Sequence, residues 1–515
     1  MFKVEEISKS TGTTKTERYL AKLCERSFLS LWSYPNLYTD EGRKNSKGSG
    51  KELCDLLVVF GDHVIIFSDK NVDFKNSGNL QVDWRRWVKR AVLESARQVY
   101  GAEKWIRERP DRIFLNKQCT ERFPLRLPDP VKAKFHRIVV ALNVTKRFNQ
   151  HVGGRGTLIL KPEIIGSRHL EVPFHIGQID PEKGYIHIFD DISLDIILRE
   201  RDTAYDFVEY LLRKEKFITS GQLGMAAGEE ELLAYYLSKL NPNDEHDFPI
   251  EQGVIEVITE GLWDHFRQLP QYINGKKENE ASYFWDWLIE QFAVHMIKGT
   301  MEFSSGDQLD DNAMALRIMA RENRFSRRIL SKAFMEKIES TPPHKRKVRV
   351  MFSPQFQDVG YVLLLYPKPA DIDMASYKEH RKKRTGLLSA YCKSFKAKHP
   401  ELNIIVGIAS EPKGTGSGSK DLLYLDTTGW SDAALKEANR IRQEFALLLD
   451  DKVKEFRGTE YEFPLPKSGE SSQVENKNNH SHNKFEDKIL EQSFRKRKDK
   501  RRMSKESRRR NRKKR

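Results

Sequence analysis

The stretch from Leu53 to Lys70 constrains the fold more than any other part of the chain. Leu53-Cys54-Asp55-Leu56-Leu57-Val58-Val59-Phe60 and His63-Val64-Ile65-Ile66-Phe67-Ser68-Asp69-Lys70 are β-rich runs separated only by Gly61-Asp62. Two such runs around a two-residue turn predict a β-hairpin. Neither run alternates apolar with polar residues, so both faces of the hairpin must be covered. With Gly61 and Asp62 as the loop, Phe60 faces His63, and counting back places Asp55 opposite Ser68. Directly opposed residues share a face, with Cβ atoms about 4.5–5.5 Å apart. Lys70, two residues beyond Ser68, shares that face with Asp55. A carboxylate, a hydroxyl and an ammonium therefore converge at the end of a buried hairpin. Taken singly, each has an ordinary reading: a strand-start aspartate bonded to nearby backbone, and a lysine ending its strand at the surface.

The flanking segments supply the cover. Residues 16–32 place Tyr19, Leu20, Leu23, Cys24, Phe28 and Leu31 at helical spacing. Leu37-Tyr38 reads as a short strand, and the polar run from Asp40 to Gly50 as a loop. Residues 83–106 predict a long helix capped by Asp83, with Trp84, Trp87, Val88, Ala91 and Val92 on its apolar stripe. His136 to Leu142 reads as a further strand. The long helix also carries Arg85, Arg86, Lys89, Arg90, Arg97 and Lys104, and basic residues interleaved with aromatics suit a phosphate backbone. The tryptophans fit the apolar stripe and read as core.

This order of elements and the Asp55, Ser68-Asp69-Lys70 pattern resemble the PD-(D/E)xK nuclease superfamily, over roughly the first 145 residues. The resemblance implies a restriction-endonuclease-like mixed sheet flanked by helices. It implies a metal-binding role for Asp55 and a catalytic role for Lys70, with Ser68 in the (D/E) position. Glu17 matches the acidic residue that often completes such sites. Mg²⁺, with Mn²⁺ as the alternative, is the implied cofactor, held by Asp55, with the Asp69 carbonyl and Glu17 as further candidates. Magnesium takes oxygen ligands and keeps several waters, so one or two carboxylates suffice. The serine departs from the pattern, because a hydroxyl is a poorer magnesium ligand. Asp69 cannot replace it, since alternation turns its side chain to the other face; Glu52 or Glu17 are the residues able to restore the charge. The implied activity is hydrolysis of phosphodiester bonds in DNA, with defence against foreign DNA as the family's suggestion. The alternative is a non-catalytic RNA- or ribosome-associated protein on a degenerate nuclease fold.

The rest of the chain extends an α+β, multidomain reading. Residues 1–145 are the nuclease-like domain, and 146–343 a middle region of strands and then helices. Residues 344–460 form a C-terminal α+β domain, and 461–515 a disordered, strongly basic tail. Of the formal net charge of +16, the tail's last 21 residues carry most, with fifteen Lys/Arg against Asp499 and Glu506. Such a cluster, Arg508-Arg509-Arg510 included, displaces counterions from phosphates and binds nucleic acid without reading sequence. A nuclear targeting signal is another reading of the same residues. With Arg86, Lys89 and Arg90, the three tail arginines are the candidate nucleic-acid contacts, DNA first and RNA second.

Four scattered cysteines without a C-x-x-C pair exclude a disulfide framework and the common zinc ribbons. No signal core follows Met1, and no apolar run is long enough for a membrane span, so a soluble cytoplasmic protein is expected. The loop Lys413 to Lys420 lacks phosphate-loop spacing and reads as a hairpin connection. Glu229-Glu230-Glu231 reads as an acidic first helical turn favoured by the helix dipole.

Overall fold

In the computed structural model the apolar runs are strands and the periodic runs helices. It describes residues 6–43, 48–153, 156–251, 253–300, 309, 313–369, 372–415, 419–456 and 458–465. Helix α1 (Lys15–Phe28) begins in a capping box, where Thr14 accepts the Glu17 amide and Glu17 reaches back to the Thr14 amide. Strand β1 (Ser33–Thr39) leads to β2 (Lys51–Phe60) and β3 (His63–Asn71). The tight turn between the last two uses Gly61 at φ 59°, a left-handed conformation that glycine adopts without steric cost.

A single rod then runs from Leu80 to Glu108: helix α2 (Leu80–Val88), a π-turn over Lys89–Leu93, and α3 (Glu94–Glu108). Strands β4 (Ile113–Phe114) and β5 (Lys134–Leu142) and helix α4 (Thr145–Val152) follow. After them come β6 (Ile159–Ile165), β7 (His175–Gln178) and β8 (Ile186–Phe189). The first sheet has the order β4-β1-β2-β3-β5-β8, antiparallel as far as β3 and parallel from β3 through β8. Its central strands are buried on both faces, as their uninterrupted apolar runs require. Phe28 of α1 packs on Phe67 from one side, and Gln98 of α3 reaches Ser68 from the other.

The sheet corrects the expected boundary at residue 145. Strand β5 would be an open, apolar edge there, and β8 covers it with four buried residues. The domain therefore continues at least to Phe189, and one cluster of buried apolar side chains runs on from Leu20 to Ile408.

Helices α5 (Ser193–Glu200) and α6 (Ala204–Thr219), strand β9 (Leu223–Ala226), helix α7 (Glu229–Leu237) and strand β10 (Glu256–Ile258) come next. The second sheet has the order β10-β9-β6-β7. The three glutamates opening α7 are buried, and each ties a different element to it. Glu229 pairs with Lys214 of α6, Glu230 with Thr157, and Glu231 with the amides of Gly261 and Trp263. Helices α8 (Leu262–Phe266), α9 (Pro270–Asn279), α10 (Tyr283–Ile297), α11 (Met314–Arg321) and α12 (Arg324–Glu339) complete the middle region.

The third sheet joins β11 (Lys347–Phe352), β12 (Val359–Leu365), β13 (Ile404–Ser410) and β14 (Lys420–Asp426) in chain order. Helix α13 (Met374–Lys398) crosses between the parallel β12 and β13, and β14 pairs antiparallel with β13; residues 416–418 of the expected connection Lys413 to Lys420 lie outside the described residues. Helix α14 (Asp432–Glu444) packs beside α13. Among the described residues no helix is long and apolar enough to cross a membrane. The expected tail boundary at 461 also shifts, because Tyr461 to Leu465 are seated against the helices. Residues 466–515, with Arg508, Arg509 and Arg510, lie outside the described residues.

Candidate active site

The β2–β3 ladder pairs Phe60 with His63 and runs to Leu56 opposite Phe67, the register counted from the turn. There the two strands part. Strand β2 continues to Lys51 against β1, and β3 continues to Asn71 against β5. In an antiparallel ladder every second pair exchanges hydrogen bonds, so the next bond beyond Leu56–Phe67 would involve the Asp69 amide. That amide instead donates to Asp55 Oδ2 at 2.6 Å. The Asp55 carboxylate thus fills the fork, accepting from the Asp69 backbone on the opposite strand.

The fork opens into a cleft of about 560 Å³. Asp55, Ser68 and Lys70 all line it, with Glu52 and Lys51 on the strand side and Arg97, Gln98, Lys104 and Arg109 on the helical wall. Asp55 is only 9% exposed. Burial pushes its pKa up to about 7, against the opposing effects of the Asp69 amide and the Lys70 ammonium; Glu52 and Glu17 add repulsion. Ser68 donates to Gln98 Oε1 at 3.1 Å.

The Asp69 side chain lies behind the strand, as alternation dictates, on the side of α1. Burial raises its pKa to about 6, opposed by a bond from Thr16 and reinforced by Glu17. Its Oδ2 is buried without a hydrogen-bond partner. Glu17 Oε2 accepts from the amides of Thr13 and Thr14 and from Asn36 Nδ2. Burial would raise the Glu17 pKa, but these hydrogen bonds prevail and hold it below the usual value. Asn36 Nδ2 also donates to Glu52 Oε1 at 2.9 Å, so one amide group holds two carboxylates side by side. Asn36 sits at φ 48° beside the bulge that breaks β1 pairing after Leu37. Asparagine tolerates that conformation, and its place in a strand-like run was the one available sequence signal.

Arg86, Lys89 and Arg90 are exposed but do not line the cleft. In an uninterrupted α-helix Arg86, Arg97 and Lys104 would lie within about 20° of one another. The π-turn takes in an extra residue and rotates everything after it by roughly 100°. Arg97 and Lys104 face the cleft on the far side of that turn. Trp84 and Trp87 are 0% and 1% exposed, with their ring N–H groups bonded to the carbonyls of His169 and Leu142. They are core residues, not a stacking surface.

Among the described residues no three His, Cys, Asp or Glu side chains form a cluster able to hold a metal by themselves. The donor set that remains is Asp55 and the main-chain carbonyl of Asp69. In a strand a residue's carbonyl points to the same side as its N–H, so that carbonyl is turned toward β2 beside Asp55. One carboxylate and one carbonyl, with water, suit a hard cation, and the cost of ionising the buried Asp55 and Asp69, only partly offset by their present partners, favours a positive charge nearby. Comparison of the chain with family models, curated proteins and solved structures returns no match.

Proposed function

We propose that the N-terminal domain is a nuclease of PD-(D/E)xK type that hydrolyses phosphodiester bonds, in DNA first, with Mg²⁺ or Mn²⁺. The observation that carries this reading is the fork: Asp55, buried and locked by the Asp69 amide, shares one cleft with Lys70. The strand order around the fork supports it as well.

Asp55 and the Asp69 carbonyl would hold the cation. When bound, a divalent ion stabilises charge on the phosphate and acidifies a water molecule. Lys70 orients the attacking water or neutralises charge developing on the phosphate. Arg97, Lys104 and Lys51 receive flanking phosphates along the cleft. The pair of Ser68 and Gln98 adds no negative charge, so ion binding depends on Asp55. Glu17 holds the start of α1 and, with Asn36, keeps Glu52 in place.

A second reading, a non-catalytic nucleic-acid-binding protein, is favoured by one observation: Ser68 is engaged by Gln98 where a second carboxylate would stand. Plasmid and RNA incubated with full-length protein in Mg²⁺, Mn²⁺ or EDTA distinguish the two. The proposal expects cleavage that EDTA stops and that Asp55→Ala and Lys70→Ala each reduce at least ~100-fold. Cleavage undiminished in Asp55→Ala overturns the site. Salt-sensitive binding without cleavage by the unaltered protein establishes the second reading.

A further inference from the structure

Far along the chain, the segment from Glu460 to Leu465 has no regular secondary structure, yet it is held at almost every residue. Buried Arg328 on α12 donates to the carbonyls of Tyr461 and Glu462. Asn274 on α9 donates to those of Pro464 and Leu465, at 3.2 and 3.4 Å. The Glu462 carboxylate meets His246 Nε2 at 3.1 Å. The Phe463 ring lies among His246, Phe266 and Tyr272, with centroids 5.8, 5.9 and 6.3 Å away. Glu460 pairs with Lys332 at 3.2 Å and with Arg328 at 3.4 Å.

The groove is also shaped for its occupant. Gly275 lies inside α9, where glycine costs about 1 kcal/mol relative to alanine. A Cβ at that position would come 2.8 Å from the Glu462 carbonyl oxygen and 2.9 Å from the Phe463 ring. The helix gives up intrinsic stability at a position where a side chain would expel the segment. Carbonyls read by fixed side-chain donors, an acid against cationic groups and an aromatic ring in an aromatic pocket are the parts of short-peptide recognition. Pro464 limits the freedom such a segment loses on docking.

We propose that the groove of His246, Phe266, Tyr272, Asn274, Gly275 and Arg328 is a recognition site for short acidic-aromatic-proline peptides, and that Glu460–Leu465 is its own tethered ligand. This site is independent of the cleft at Asp55. Its recognition does not require chain continuity, because every contact named above is made by side chains of the groove.

The test uses full-length protein and a fluorescein-labelled peptide of residues 459–466, read by fluorescence polarisation. In the unaltered chain the tethered segment competes at an effective concentration on the order of millimolar. Glu462→Ala with Phe463→Ala partly vacates the groove, removing the His246 pair and the ring while leaving the contacts to main-chain carbonyls and Glu460, and is expected to raise peptide affinity at least 10-fold. Adding Gly275→Leu is expected to lower it to the level of a scrambled peptide. If the vacated chain binds the peptide no better than its scrambled form, the segment is ordinary packing and the proposal falls. Should the double variant fail to fold by circular dichroism, Glu462→Gln, which leaves Phe463 packed, repeats the test. A several-fold gain is then expected, and no gain overturns the proposal.

Discussion

Replacing Asp55 by asparagine keeps an acceptor for the Asp69 amide while deleting a charge that burial disfavours. Raising a carboxyl from its usual 3.8 to about 7 corresponds to ~4 kcal/mol of disfavoured ionisation. The unfolded chain loses this proton near pH 3.8 and the folded chain only near 7. The penalty is therefore absent below pH 3.8, grows between those values and is complete above about 7. Asparagine's own buried amide offsets part of the gain, leaving about 1–3 kcal/mol. Thermal or urea unfolding in EDTA should show Asp55→Asn more stable than the unaltered protein at pH 8, with the advantage shrinking as pH falls and reversing below about pH 4, where only the cost of burying the amide remains. Saturating Mg²⁺ should stabilise the unaltered chain, by about 2.7 kcal/mol at a hundredfold excess over Kd, and leave the variant unmoved. A variant equal to or less stable than the unaltered chain at pH 8 in EDTA would refute the argument that Asp55 is held ionised at a cost.

Lys214→Met should destabilise by about 3–5 kcal/mol in urea titrations, because Lys214 is 0% exposed and its loss strands the Glu229 carboxylate 2.5 Å away. Adding Glu229→Gln should recover part of that loss, and a double variant worse than the single one would contradict the pairing. Deleting residues 495–515 should weaken nucleic-acid binding and flatten its dependence on salt, by ~3 or more in the slope of log K against log salt. Cleavage at saturating substrate should not change, which a kcat measurement checks.

Much of the first sheet was legible locally. The Gly61-Asp62 turn and the runs beside it specified a register that the ladder reproduces from Phe60–His63 to Leu56–Phe67. Trp84 and Trp87 belonged to the core because they sat on one stripe of a helix. Less was legible where distant segments compete for the same edge. Nothing local to residues 186–189 announced that they would cover β5. Nothing in the basic pattern of residues 85–104 announced a π-turn, which lies between a first half packed on the turn at Gly166–Leu170 and a second half packed on β3 and β5. Asn36 and Gln98 reach the candidate site from a strand and a helix with no chemistry-bearing motif around them.

What the sequence alone determined is therefore the part governed by near neighbours: side-chain alternation, a two-residue turn and one shared face for Asp55, Ser68 and Lys70. Those follow from backbone geometry within some eighteen residues. Tertiary structure decided the rest: where β2 and β3 part, which cations line the opening, and how Asn36 holds Glu17 beside Glu52. It also decided that Glu460–Leu465 returns to a groove cleared by Gly275. These depend on which distant elements bury one another's edges and faces, a balance that local periodicity does not record.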